Sequence, residues 1–147
     1  MPPRPLALIV EDEPDMLLLL RLTLEHAGFE TCLAADGETA LRRIDAERPD
    51  VVLLDLMLPV LDGWGVLAEL ATRTAGPPVV ICSATDGRRE RTRAAELGAV
   101  AFVSKPFEVE DLVRVLREAL EGRRAPRQVG APAIPDVLVD RGRLGLA

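Results

Sequence analysis

Five side chains whose chemistry suits phosphoryl transfer each lie next to a short apolar run of the sequence. They are Glu11, Asp12, Asp55, Ser83 and Lys105. Crowded carboxylates repel one another, and a hard divalent cation such as Mg²⁺ offsets their charge while water or phosphate completes its shell. A hydroxyl and an ammonium suit the remaining phosphate oxygens. The set therefore predicts a phosphoryl-transfer site with Mg²⁺ as its cofactor.

Asp55 is the predicted nucleophile of this site. It ends the central apolar run, and aspartate carboxylates form covalent phosphates. We expect Glu11 and Asp12 from a neighbouring strand on one side of it and Lys105 on the other. A single Asp at a strand end is usually a turn or cap residue. Five suitable residues at successive strand ends favour the functional interpretation over that one.

The elements that position these residues follow from the alternation of apolar runs and helical segments. Short runs predict five strands, at Leu6–Val10, 31–34, Val51–Leu54, 79–82 and Ala101–Ser104. The segments between them predict five helices, at about 14–27, 36–47, 66–72, 86–97 and 109–121. Strands that are apolar on both faces indicate a parallel sheet covered by helices. Right-handed crossovers then give a doubly wound α/β domain, whose carboxyl strand ends share one edge.

Composition limits the class of protein. The 147 residues are 48% hydrophobic and 29% charged, which excludes bulk disorder, and no apolar run approaches the ~18 residues of a membrane span. Residues 1–121, the expected globular domain, hold 13 basic and 22 acidic groups, a net −9 that argues against nonspecific nucleic-acid binding.

Residues 122–147 form an Arg- and Pro-rich extension too poor in apolar residues for its own core. The sequence shows neither a secretory apolar segment near its start nor a Cys-x-x-Cys pair, so we expect a cytoplasmic protein.

Five sequence stretches carry a family resemblance. They are Leu8-Ile-Val-Glu-Asp-Glu-Pro, Pro49-Asp-Val-Val-Leu-Leu-Asp-Leu-Met-Leu-Pro, Asp62-Gly, Val79-Val-Ile-Cys-Ser-Ala, and Leu97-Gly-Ala through Lys105-Pro-Phe. They occur in order within residues 6–121, and over this region the chain resembles the receiver domain of bacterial two-component response regulators. The resemblance implies a flavodoxin-like sheet of order 2-1-3-4-5.

The resemblance also implies a role for each residue of the phosphorylation site. Asp55 would be the phosphoacceptor for a histidine kinase or phosphotransfer protein of a phosphorelay. Asp12 and Asp55 would bind Mg²⁺ directly, Glu11 would act through water, and the backbone carbonyl of Met57 would complete the protein ligands. Such a protein is a signalling switch and not an enzyme with a small-molecule substrate.

Further residues correspond to the family's switch. Ser83 and Lys105 would bind the phosphoryl oxygens, and Phe102 occupies the position of the switch aromatic, where Tyr is frequent. Pro106 follows a peptide bond that is usually cis in the family. The resemblance implies a protein target that contacts residues 86–121 and a possible homodimer. From the acidic charge and the short apolar runs, we expect no direct contact with nucleic acid or membrane.

Three alternatives stay open. A Mg²⁺-dependent phosphatase with an aspartate nucleophile would need a second Asp two residues after Asp55, where this chain has Met57. The extension faintly resembles the strands that open a winged-helix domain, so the chain could be the N-terminal part of a DNA-binding transcriptional regulator. A receiver-like domain that binds its partner without phosphorylation is the third, and the complete set of acids, Ser83 and Lys105 argues against it.

Overall fold

The computed structural model describes residues 3–124, which form a parallel sheet covered by helices on both faces. The strands are β1 (Leu6–Val10), β2 (Glu30–Ala34), β3 (Val51–Leu54), β4 (Val79–Ser83) and β5 (Ala101–Ser104). The helices are α1 (Pro14–His26), α2 (Gly37–Glu47), α3 (Gly63–Ala71), α4 (Arg88–Glu96) and α5 (Val109–Arg124). The extension predicted for residues 122–147 lies outside the described residues from position 125 onward.

The order of the strands is β2-β1-β3-β4-β5, and all four neighbouring pairs are parallel. The predicted doubly wound fold and its strand order are confirmed. β1 and β3 are central, and the register pairs Val10 with Ala34 on one side and with Leu54 on the other. This register aligns the carboxyl ends of the central strands, so the residues that follow them meet at one edge.

Side chains alternate across the sheet and fill two hydrophobic layers. Val52 and Leu54 of β3 pack in the layer that holds buried residues of α2, α3 and α4. Val51 and Leu53 pack in the opposite layer, with buried residues of α1 and α5. Each fully buried Val or Leu contributes roughly 1.5–3 kcal/mol relative to an exposed one. The two layers therefore hold the strand ends in fixed relative positions.

Three differences between the predicted and the observed element boundaries concern the site or the extent of the domain. α3 was expected from about residue 66 but begins at Gly63, because the side chain of Asp62 caps it by accepting the Gly65 N–H at 2.9 Å. α5 was expected to end at residue 121 but continues to Arg124. Gly122 is tolerated within the helix, and a proline disfavours helical backbone at the residue before it, so Pro126 does not prevent helix up to Arg124. Ser83 is the last residue of β4 and does not follow it.

Candidate functional site

Backbone hydrogen bonds beyond the strand ends fix the residues at the carboxyl edge. The N–H of Glu11 donates to the carbonyl of Ala34, and the N–H of Asp55 donates to the carbonyl of Val10, both at 3.0 Å. The ladder thus continues for one residue past β1 and β3. The carboxylates of Glu11 and Asp55 therefore start from neighbouring, well-ordered positions of the sheet.

Lys105 connects the two buried carboxylates. Its Nζ lies 2.5 Å from Glu11 Oε1 and 2.9 Å from Asp55 Oδ2. Glu11 is 2% exposed and Asp55 is 7% exposed, so these ion pairs are largely shielded from solvent. Buried charges of this kind persist only when they are paired and hydrogen-bonded. The ammonium thus lies where it offsets two of the three predicted acids.

The ionisation of this group reflects burial and pairing together. Burial raises the pKa of Glu11 above its usual value, and the hydrogen bond from Lys105 offsets only part of that effect. Burial opposes the charge of Lys105 as well, but its hydrogen bonds to Glu11 and Asp55 outweigh burial and raise the pKa of the ammonium. Lys105 is therefore a cation throughout the physiological pH range.

The third acid completes a group that could hold a metal ion. Carboxylate oxygens of Glu11, Asp12 and Asp55 all lie within 4.8 Å of one another. Asp12 is exposed, so the group opens to solvent on one side. Carboxylates that leave coordination positions for water or phosphate are the donors that Mg²⁺ prefers in phosphoryl-transfer sites. The residues present therefore fit a magnesium ion.

Met57 contacts Asp55 through its backbone. Its N–H donates to Asp55 Oδ1 at 3.1 Å, while its side chain is 64% exposed. The two carboxylate oxygens of Asp55 thus have different partners, the Met57 amide and the Lys105 ammonium. The Lys105–Pro106 peptide bond is cis, the conformation that the resemblance implies.

Ser83 is the last residue of β4, and Phe102 lies two residues before the end of β5. Both are fully buried, and the Ser83 Oγ accepts the N–H of Thr85 at 3.3 Å. Phe102 packs in the layer that contains Ala94 of α4. The structure thus brings Glu11, Asp12, Asp55 and Lys105 together at the edge, and it places Phe102 in the hydrophobic core.

Cys82 is adjacent to Ser83 and is a chemical alternative as nucleophile. Its side chain is buried in the layer beneath α1 and α5. Burial raises the pKa of the thiol to about 12, and the Asp55 and Glu11 charges add to this while Lys105 opposes it. A thiol that stays protonated is a poor nucleophile. Asp55 therefore remains the candidate at this edge.

Sequence reasoning missed the role of Gly63 in shaping the site. A Cβ at Gly63 would lie 2.3 Å from the carbonyl oxygen of Asp55 and 2.5 Å from the Cα of Leu56. The Gly63 N–H also donates to the Leu56 carbonyl at 3.0 Å. The start of α3 thus packs directly on the backbone that carries Asp55. The Asp62-Gly63 pair was visible in the sequence as part of the family resemblance, but a pair of this type is also common in turns and does not by itself reveal this contact.

Among residues 3–124, no helix is both long enough and apolar enough to cross a membrane. The cytoplasmic location expected from the sequence stays a prediction.

Comparison with known proteins identifies the family. A family model described as the response regulator receiver domain matches residues 7–117. The chain belongs to the response regulator receiver family. Its curated relatives are response regulators, among them the transcriptional activator protein IrlR of Burkholderia pseudomallei. That protein is 40% identical over 136 residues, 92% of this chain and 58% of the relative. The chain spans about half the length of the curated relatives it matches.

Solved receiver domains share the fold. The receiver domain of the Francisella response regulator 1452 is 28% identical, with a TM-score of 0.78, covering 83% of this chain and 100% of that one. The receiver domain of the sensor histidine kinase PA1611 from Pseudomonas aeruginosa is 29% identical, with a TM-score of 0.74, covering 80% of this chain and 98% of that one. That structure is described with a magnesium ion coordinated in its active site cleft.

Proposed function

We propose that Asp55 of this receiver accepts a phosphoryl group from a phosphohistidine of a histidine kinase or phosphotransfer protein, in a Mg²⁺-dependent reaction. The observation that carries the proposal is the pairing of Lys105 with Asp55 Oδ2 beside the carboxylates of Glu11 and Asp12. An Asp55 oxygen attacks phosphorus and forms the new P–O bond. The P–N bond breaks, and its electron pair returns to the histidine nitrogen of the donor.

The charged residues around Asp55 have separable roles in this reaction. Lys105 is positioned to stabilise the negative charge of the transferred group, since its Nζ already contacts an Asp55 oxygen. Asp12 and Asp55 would bind Mg²⁺ directly, Glu11 would act through water, and the Met57 carbonyl would be the remaining protein ligand. A bound Mg²⁺ supplies positive charge that offsets the phosphoryl oxygens.

The phosphoryl group would act as a ligand that shifts a conformational equilibrium. Ser83 would donate to a phosphoryl oxygen and leave its place below the site, which Phe102 would then fill. The shift is limited by the difference in free energy that the phosphoryl group makes between the two states. The surface formed by residues 86–121, which includes α4, β5 and α5, would then bind the downstream protein target or a second copy of the chain.

Trp64 offers a direct measure of this change at α4. The guanidinium of Arg93 on α4 lies 4.2 Å from the centre of the Trp64 ring on α3, and Trp64 is the single tryptophan of the chain. A displacement of α4 alters this cation–π contact. The emission of Trp64 should therefore change when Asp55 is phosphorylated.

The proposal is tested by incubating the chain with Mg²⁺ and acetyl phosphate and measuring its intact mass. We expect one added phosphoryl group, which is lost in Asp55→Asn and without Mg²⁺. Asp62→Asn is the matched control, because Asp62 caps α3 in the same loop but lies outside the acidic group. Equal labelling of Asp55→Asn, or no labelling of the wild type, would contradict the proposal.

A phosphatase would give a different result in the same experiment. It would turn over a stable phosphomonoester continuously and release inorganic phosphate. Met57, whose exposed thioether cannot transfer a proton, holds the position where that chemistry needs an acid. We therefore expect slow self-dephosphorylation of Asp55 only.

A second candidate for the output is transcriptional control through a DNA-binding region. The match to IrlR supports this candidate. That match covers 136 of the 147 residues, so wherever it begins it must include residues 12–136. The similarity to this transcriptional activator therefore continues beyond residue 117, where the match to the receiver family model ends. Detection of the native protein in its source cells by antibody and intact mass tests it. A chain clearly longer than 147 residues supports this candidate, and a chain of 147 residues contradicts it.

We also propose that the receiver is a unit independent of the Arg- and Pro-rich extension. Helix α5 completes the core layer with α1, and among the side chains described up to residue 122 the last one from α5 in this layer is Leu120. Removal of residues 125–147 should therefore leave the melting temperature and Asp55 phosphorylation unchanged. A marked loss of either would show that the extension is part of the domain.

A further inference from the structure

The chain contains two serines, Ser83 and Ser104, and the sheet places them side by side. They are register partners at the carboxyl ends of β4 and β5. The N–H of Lys105 continues this pairing by donating to the Ser83 carbonyl at 3.0 Å. Ser104 is therefore tied by backbone to both Ser83 and Lys105, two residues of the candidate site.

Both serine side chains lie on the same face of the sheet. Phe102, two residues before Ser104, packs in the layer beneath α4, and Ile81, two residues before Ser83, packs in the same layer. Val103, between Phe102 and Ser104, packs in the opposite layer. Because strand side chains alternate, both serines are placed on the α4 side, on strands about 4.8 Å apart.

The two hydroxyls differ in their hydrogen bonds. Ser83 Oγ accepts the N–H of Thr85, whereas Ser104, which is 4% exposed, has no hydrogen-bond partner for its Oγ among residues 3–124. A buried hydroxyl without a partner lowers stability, and most buried polar atoms have one. The presence of a hydroxyl at position 104 would be explained if Ser104 Oγ gains a hydrogen-bond partner in another state of the site.

We infer that Ser104 is a positioning residue that acts through Ser83 when an anion occupies the site at Asp55. The inference rests on the proposed function. Ser83 then donates its single O–H to the anion, and Ser104 donates its own O–H to Ser83 Oγ. A hydroxyl can donate once and accept twice, so both bonds exist together. A change of χ1 rotamer at these serines brings the two oxygens within reach, and hydrogen bonds in such a chain strengthen one another.

The test is a double-mutant cycle with beryllofluoride and Mg²⁺ as the probe, a stable analogue of the phosphoryl group. Ser104→Ala should weaken beryllofluoride binding about fivefold, the usual net effect of one hydrogen bond. In a chain that already carries Ser83→Ala, Ser104→Ala should have no further effect. Ser104→Thr, which keeps the hydroxyl, should retain more affinity than Ser104→Ala. Val103→Ala is the control, because it alters the same strand on the opposite face.

A second measurement separates positioning from structural support. The melting temperature of Ser104→Ala without ligand should equal or exceed that of the wild type, because the variant loses a hydroxyl that has no partner in this state. A lower melting temperature, or equal losses of affinity with and without Ser83, would overturn the inference. Weakened binding in Val103→Ala to the same extent would also overturn it. Failure of the wild type itself to bind beryllofluoride would overturn the proposed function, and this inference with it.

Discussion

Replacement of Gly63 by alanine probes how tightly the start of α3 holds the backbone of Asp55. The new Cβ would lie 2.3 Å from the Asp55 carbonyl oxygen, 2.5 Å from the Leu56 Cα and 3.0 Å from the Asp55 carbonyl carbon. Nonbonded carbon atoms pack at about 3.5–4.0 Å, so α3 and the Asp55 backbone must separate by about 1 Å. All three atoms belong to backbone, and no side-chain rotation can relieve the contact.

The change in stability follows from two destabilising contributions and one stabilising contribution. Overpacking of this kind costs about 1–3 kcal/mol, and a stretched hydrogen bond from Gly63 to Leu56 adds about 1 kcal/mol. The higher helix propensity of alanine returns at most about 1 kcal/mol. We therefore expect Gly63→Ala to lower the free energy of unfolding by about 1–4 kcal/mol. The shift should also weaken Mg²⁺ binding, because it displaces the backbone that carries the Asp55 carboxylate.

Urea denaturation and a Mg²⁺ titration measure the two effects. Gly76→Ala is the matched control, because a Cβ there meets no atom within 4 Å and its backbone does not have a positive φ. This control should differ from the wild type by less than about 1 kcal/mol. If Gly63→Ala is as stable as Gly76→Ala and binds Mg²⁺ with wild-type affinity, the proposed packing of α3 on Asp55 is wrong.

Three further predictions concern the acids and one strained residue. Asp12→Ala should weaken Mg²⁺ binding more than Glu11→Gln, because Asp12 is the proposed direct ligand, and equal losses in a titration would contradict these roles. Val60→Gly should stabilise the protein by about 0.5–1 kcal/mol in urea denaturation, since Val60 has a φ of 66° and glycine removes most of the left-handed strain; Val60→Ala keeps that strain and should show no comparable gain. Asp36 accepts the Thr39 N–H at the start of α2, and this hydrogen bond lowers the pKa of the Asp36 carboxyl below its usual 3.8. The ionised carboxylate therefore stabilises the folded protein above pH 3.8, and this stabilisation is lost as the pH falls through the lower pKa of the folded state. The stability difference between wild type and Asp36→Asn should therefore shrink between about pH 7 and about pH 2, and a difference independent of pH would refute this origin.

Much of the fold was predictable because its signals are local. Apolar runs of four or five residues gave all five strands, and Asp36 gave the start of α2 because its side chain can cap the following turn. The start of α3 was not predicted, since Asp62-Gly63 suits both a turn and a cap. What decides between these is the close approach of Gly63 to Asp55 and Leu56, eight and seven residues earlier in the chain.

The sequence alone determined which chemical groups this receiver brings to the edge of its sheet. Acids, a hydroxyl and a lysine that lie at or directly after the ends of parallel strands must meet there, because the register of a parallel sheet aligns the strand ends. The sequence could not determine how those groups pair. Lys105 contacts both Glu11 and Asp55, 94 and 50 residues away, and Ser104 lies beside Ser83. Such contacts depend on side-chain packing between elements distant in the chain, so only the tertiary structure decides them.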